Sequence, residues 1–150
     1  MNVYHIARNE YINDLSGAGS RLFGGRWNSI GTSLIYTSST RALSVLELLA
    51  HLPATQLPVN YSVIHLSVPE EHVINLDLHL LPLDWKKFPS PFSLKFFGDD
   101  FVRQSGGLVL KVPSALVEDE FNYLINPGHA DMKKVEIVKV KPFAFDDRLF

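Results

Sequence analysis

Arg26, Tyr36 and Glu47 are the side chains of this sequence whose types and placement could do chemistry together. Arg26 follows a glycine pair in Gly24-Gly25-Arg26-Trp27-Asn28, and glycine lets backbone approach a ligand closely. Its planar guanidinium could grip a phosphate or carboxylate, or it could be a surface arginine stacked on Trp27. Tyr36 follows Ser33-Leu34-Ile35; its ring could stack on a planar ligand or pack in the core with its hydroxyl satisfied. Glu47 lies among Leu43, Val45, Leu46, Leu48 and Leu49, and burying a carboxylate has a large desolvation cost. An ion pair with a nearby arginine, or a solvent stripe shared with His51, would relieve that cost. In a cleft, the same carboxylate could hydrogen-bond a substrate hydroxyl or stabilise positive charge in a transition state.

Two residues far downstream are weaker candidates. Ser114, in Val112-Pro113-Ser114, could cap a turn. Asn126, before Pro127, is a typical turn residue. No G-x-S-x-G elbow surrounds Ser114, and neither a P-loop nor a G-x-G-x-x-G is present. The histidines at 5, 51, 65, 72, 79 and 129 show no H-E-x-x-H spacing, so no catalytic metal and no bound cofactor are expected.

The elements that must position these residues follow from composition and pattern. At 150 residues, 46% apolar and 20% charged, the chain reads as one soluble domain spanning 1–150, long enough for a real core. It has no cysteine, no evident signal peptide and no apolar run of membrane-spanning length, so a cytoplasmic location is expected. A net charge of -2 argues against direct nucleic-acid binding through a broad basic surface. Four of the six arginines (Arg8, Arg21, Arg26, Arg41) precede any lysine, which would suit an anion-binding mouth in the N-terminal third. Strands are predicted over 2–7, 34–37, 61–68, 72–78, 108–112, 122–127 and 135–141. Helices are predicted over 41–51, nearly all apolar and so largely buried, and over 94–104, with a helical turn at 9–15. Residues 16–20, 52–60 and 81–92 read as loops. Strands and helices without regular alternation give an α+β fold of short mixed or antiparallel strands.

At these residues the sequence resembles the RES-domain family, named for its arginine, glutamate and serine. The matching stretches are Gly24-Gly25-Arg26-Trp27-Asn28, Gly31-Thr32, Leu34-Ile35-Tyr36, Ala42-Leu43 through Glu47, Val112-Pro113-Ser114-Ala115, Asn122-Tyr123-Leu124-Ile125-Asn126-Pro127 and Phe145-Asp146-Asp147-Arg148-Leu149. The resemblance implies a fold similar to ADP-ribosyltransferases. It implies the toxin of a bacterial type II toxin–antitoxin pair, with an Xre-like DNA-binding antitoxin as partner and a homodimer as a compatible assembly. The implied reaction cleaves NAD⁺, as substrate, at the nicotinamide–ribose bond and passes ADP-ribose to water, to phosphate as co-substrate, or in some members to a protein. A non-catalytic nucleotide- or antitoxin-binding module is the remaining alternative. By position, Arg26, Tyr36, Glu47 and Ser114 are the implied catalytic set, with Asn126 added for substrate binding. Glu47 would stabilise the oxocarbenium-like ribose and Arg26 would hold the pyrophosphate or its neighbouring ribose. Tyr36 would pack on the nicotinamide end, and Ser114 would hydrogen-bond the ligand. Where many members carry an arginine in the first strand, this chain has Val3-Tyr4-His5-Ile6-Ala7 and then Arg8, so His5 or Arg8 would substitute.

Overall fold

The computed structural model describes residues 1–55 and 57–150. Strands form where β-branched, aromatic and leucine residues recur, half of them facing inward. They are β1 (Asn2–Arg8), β2 (Ile35–Ser38), β3 (Tyr61–Ser67), β4 (Val73–Asn75), β5 (Val109–Pro113), β6 (Phe121–Ile125) and β7 (Glu136–Phe143). All join one sheet in the order β4-β5-β6-β2-β1-β3-β7. Only β4 and β5 run parallel; the other ladders are antiparallel. The α-helices are α1 (Ala18–Phe23), α2 (Arg41–Leu49) and α3 (Lys95–Gln104). The expected α+β class is the observed one.

The sheet nearly parts at its middle. β1 and β3 pair continuously from Asn2–Ser67 to Arg8–Tyr61, whereas β1 and β2 share one partner pair, Tyr4 with Ser38. Register shows which face the helices cover. Tyr36 is paired with Leu124 and Ser38 with Tyr4, so these side chains share a face. On one side of the split that face packs Leu110, Val112 and Leu124 against Trp27 of the glycine-pair loop and Leu94 and Phe101 of the α3 region. On the other side it packs Ile6, Val63 and Tyr61 with Val45, Leu48 and Leu49 of α2. Val3, Ile35, Ile64, Leu66, Val109 and Ile125 form the core of the opposite face. The split therefore opens a cleft between two helix-covered halves.

Several local outcomes differ from the expectations. Residues 18–23 form a helix rather than a loop, although Ser16, Gly17, Gly19 and Ser20 read as loop-forming. The Ser20 hydroxyl donates to the Leu34 carbonyl (2.6 Å), with the Gly17 carbonyl also within reach (3.0 Å), and accepts from the Leu34 amide (2.8 Å), which pins the turn to a distant segment. β4 is shorter than the predicted 72–78, because Asp77 caps a 3-10 turn (Leu78–Leu80) by accepting from the His79 amide. α2 starts as predicted, its first turn capped by Thr40, but it is not largely buried: only Leu43 and Ser44 are, and Leu46 is 42% exposed. One sheet face covers one side of α2, and the cleft leaves the other open. The predicted loop over 52–60 includes Gln56, which lies outside the described residues.

α3 docks unusually closely on the glycine-pair loop. The Gly98 amide donates to the Trp27 carbonyl at 2.9 Å. A Cβ at Gly98 would lie 2.0 Å from that oxygen. No helix of the described residues is long and apolar enough to cross a membrane.

Candidate active site

A cleft of about 580 Å³ opens at the split, a size suited to a small-molecule ligand. It is bordered by Arg26, Tyr36 and Glu47, and also by His5, Lys86 and Asn122. The three residues from which the sequence reading began are thus brought together by the fold.

The loop carrying Arg26 is held by a buried asparagine. Asn28 is fully buried; its amide donates to the carbonyls of Ser20, Ser29 and Thr32, and its Oδ1 accepts from the Tyr36 hydroxyl at 2.6 Å. That hydroxyl also accepts from the Trp27 amide at 3.1 Å. Burial raises the Tyr36 pKa far above the ordinary phenol value, so it stays a neutral donor. Gly25 makes the approach possible, since a Cβ there would lie 2.6 Å from the Tyr36 oxygen. Tyr36 thus spends its hydroxyl on the loop and offers the cleft its ring.

Arg26 reaches across to residues 85–87. Its Nη1 donates to the Trp85 carbonyl at 2.7 Å and to the Lys87 carbonyl at 3.1 Å. Nε and Nη2 make no hydrogen bond among the described residues. Burial lowers its pKa from the usual guanidinium value, while the nearby charge of Glu47 acts in the other direction; arginine remains cationic at neutral pH. This latch holds a segment whose Lys86 and Phe88 also border the cleft.

Glu47 projects from α2, which is tied to β1 one turn earlier by a hydrogen bond from Ser44 Oγ to the Tyr4 carbonyl (2.9 Å). Its Oε1 accepts from Ser114 Oγ at 2.9 Å and from Asn122 Nδ2 at 2.7 Å. Oε2 has no hydrogen-bond partner, and no arginine or lysine pairs with the carboxylate, among the described residues. The ion-pair explanation for this carboxylate therefore does not apply.

Ser114 is 2% exposed, and its hydroxyl also accepts from the amides of Leu116 and Val117. The hydroxyl's donor and lone pairs are engaged within the protein, and Ser114 stands behind Glu47 as a turn cap and anchor. Asn126 is not brought to the cleft. It is buried, its Oδ1 accepting from the Gly128 amide at 3.0 Å, as in the turn reading.

In the first strand it is His5, not Arg8, that reaches the cleft. His5 Nδ1 bonds the Tyr36 carbonyl at 2.9 Å, spanning the split where ladder bonds stop. Burial lowers its pKa and so favours the neutral ring, an effect partly offset by that bond. Arg8 borders a separate depression with Tyr61 and Pro58.

Asn122 was missed in the sequence. Its signal was its place in a quoted motif, but its role depends on lying opposite Ser38 in the β2–β6 ladder.

Comparison with known proteins gives this geometry a family. The chain is 36% identical to the Prs ADP-ribosylating toxin of Sphingobium sp. (strain YBL2), over 95% of this chain and 91% of that protein. It is 34% identical to Toxin Res of Photorhabdus laumondii, over 99% of this chain and 97% of that one. A chain in the crystal structure of the M. tuberculosis MbcT-MbcA toxin-antitoxin complex shares the fold at a TM-score of 0.78 and 16% identity, across 95% of this chain and 84% of that chain. The RES domain profile matches residues 2–146. With the arginine and glutamate at the cleft, the serine bonded behind the glutamate, and a match over nearly its whole length, the chain belongs to the RES domain family.

Proposed function

We propose that this protein is the toxin of a toxin–antitoxin pair and that it cleaves NAD⁺ at the nicotinamide–ribose bond, with water or phosphate as acceptor. The observation that carries the reading is Glu47: a carboxylate fixed through Oε1 by two neutral donors, with Oε2 left without a partner at a cleft that also holds Arg26. In the reaction, the C1′–N bond breaks with its electron pair going to the nicotinamide nitrogen, which neutralises the pyridinium. Positive charge then develops on the ribose. A preorganised carboxylate facing that charge stabilises the transition state more than the ground state. The free donors of Arg26 suit the pyrophosphate through charge-assisted bonds, and the ring of Tyr36 suits the planar nicotinamide end. The partner proposed to silence it is an Xre-like DNA-binding antitoxin.

The test is to incubate the purified protein with NAD⁺, with and without phosphate, and identify the products. Free nicotinamide, with ADP-ribose or its 1″-phosphate, is the expected outcome. Intact NAD⁺ under both conditions would overturn the reading. A second reading is favoured by the name of the Sphingobium relative, an ADP-ribosylating toxin: the acceptor would then be a protein. Label from the ADP-ribose moiety appearing on a lysate protein, rather than in a small product, would select it.

A further inference from the structure

Oε1 of Glu47 has two donor neighbours. The Ser114 hydroxyl already accepts from the amides of Leu116 and Val117, so toward Glu47 it donates. Asn122 is the second donor. Its Nδ2 faces Glu47 at 2.7 Å, while its Oδ1 accepts from Ser38 Oγ, also at 2.7 Å. Because a carboxylate oxygen can only accept, the NH₂ of the amide must face Glu47, which leaves Oδ1 to accept from Ser38. The backbone beneath it is fixed as well, because Asn122 is paired with Ser38 on β2 and with Val112 on β5. Ser38 is 4% exposed, so water competes little for this bond.

The carboxylate is therefore oriented by a strand on the far side of the split from β1, to which α2 is tied by Ser44. We infer that Asn122, anchored by Ser38, is a positioning residue that fixes the Glu47 carboxylate through Oε1 and leaves Oε2 uncommitted beside the cleft. This rests on Glu47 acting as proposed above, and it gives Asn122 and Ser38 a role that the arginine–glutamate–serine set does not include.

The experiment is a double-mutant cycle on nicotinamide release, with kcat and KM for NAD⁺ separated and folding followed by thermal melting. Asn122→Ala should lower kcat by roughly 10–100-fold, as expected for a lost hydrogen bond to a charged group, and change KM much less. Ser38→Ala should lower kcat in the same direction by a smaller factor, and should add almost nothing when combined with Asn122→Ala. In a Glu47→Gln background, read by single turnover with enzyme in excess, Asn122→Ala should change the remaining rate by less than about threefold. A merely structural Asn122 would lower the rate equally in both backgrounds, and that result would overturn the inference. So would a kcat for Asn122→Ala within about twofold of wild type, or an effect confined to KM. If the wild-type protein releases no nicotinamide, the proposed reaction itself fails. Active wild type beside an unaffected Asn122→Ala removes only the positioning role.

Discussion

On one wall of the cleft, Arg26 spends its Nη1 on the carbonyls of Trp85 and Lys87 and keeps Nε and Nη2. On the other, Glu47 spends Oε1 on Ser114 and Asn122 and keeps Oε2. Both charged groups are half committed to the protein, but to different kinds of partner. Glu47 is held by side chains on buried, ladder-paired or capped backbone. Arg26 is held by carbonyls of the loop segment 85–87. The carboxylate is thus preorganised, whereas the guanidinium shares its charge with a segment that a phosphate ligand can rival. The difference matches the tasks proposed for them: charge that develops in a transition state is best met by fixed groups, and a ligand must be admitted before it is gripped.

Breaking the carboxylate wall should have the largest effect. Glu47→Gln retains shape and hydrogen-bonding capacity, yet should lower nicotinamide release by about 10²–10³ while the protein remains folded. Near-wild-type release from this variant would remove Glu47 from the chemistry.

The guanidinium wall should respond more mildly and in another parameter. Arg26→Lys keeps the charge but not the fork, so it can no longer serve both the loop carbonyls and a phosphate. A rise of roughly tenfold in KM for NAD⁺, exceeding any fall in kcat, is expected from losing one charge-assisted bond. An equal loss in kcat with KM unchanged would show that Arg26 acts on the transition state as Glu47 does, and the contrast between the walls would collapse.

A third substitution tests how the Arg26 wall is shaped rather than charged. Gly25→Ala places a methyl 2.6 Å from the Tyr36 oxygen and 2.9 Å from Asn28 Oδ1, so the buried Asn28–Tyr36 bond must yield. Chemical denaturation should show a loss of about 1–3 kcal/mol, the usual cost of overpacking. Unchanged stability would mean that the loop is not seated by this contact.

Much of the scaffold was legible because it rests on local signals. Thr40 before an apolar run marks the start of α2, and alternating residues mark β3 and β7. Glu47 stood out for a related reason: a carboxylate among apolar helical residues has a desolvation cost, and here the neutral donors Ser114 and Asn122 offset part of it. What was hidden depends on contacts distant in sequence. α1 is made by Ser20 reaching Leu34, and nothing within 16–20 announces it. Asn122 gains its role from Ser38, a residue 84 positions away. Ser114 was open to two readings, cap and site residue, and its oxygen joins both by capping Leu116 and Val117 while donating to Glu47. Asn126 carried the same ambiguity without the second half, because its carbonyl oxygen is spent on its own turn.

The seat of α3 on the Arg26 loop bears on how such a protein can be lost. At Gly98 the helix touches the Trp27 carbonyl with no room for even one methyl. A missense change there would dislodge the loop that carries Arg26, although Gly98 itself does not border the cleft. If the protein harms the cell that makes it, survivors of its expression need not carry lesions in the cleft. Helix-seat glycines would be represented among them beside Glu47, and a screen of escape alleles would map the architecture along with the chemistry.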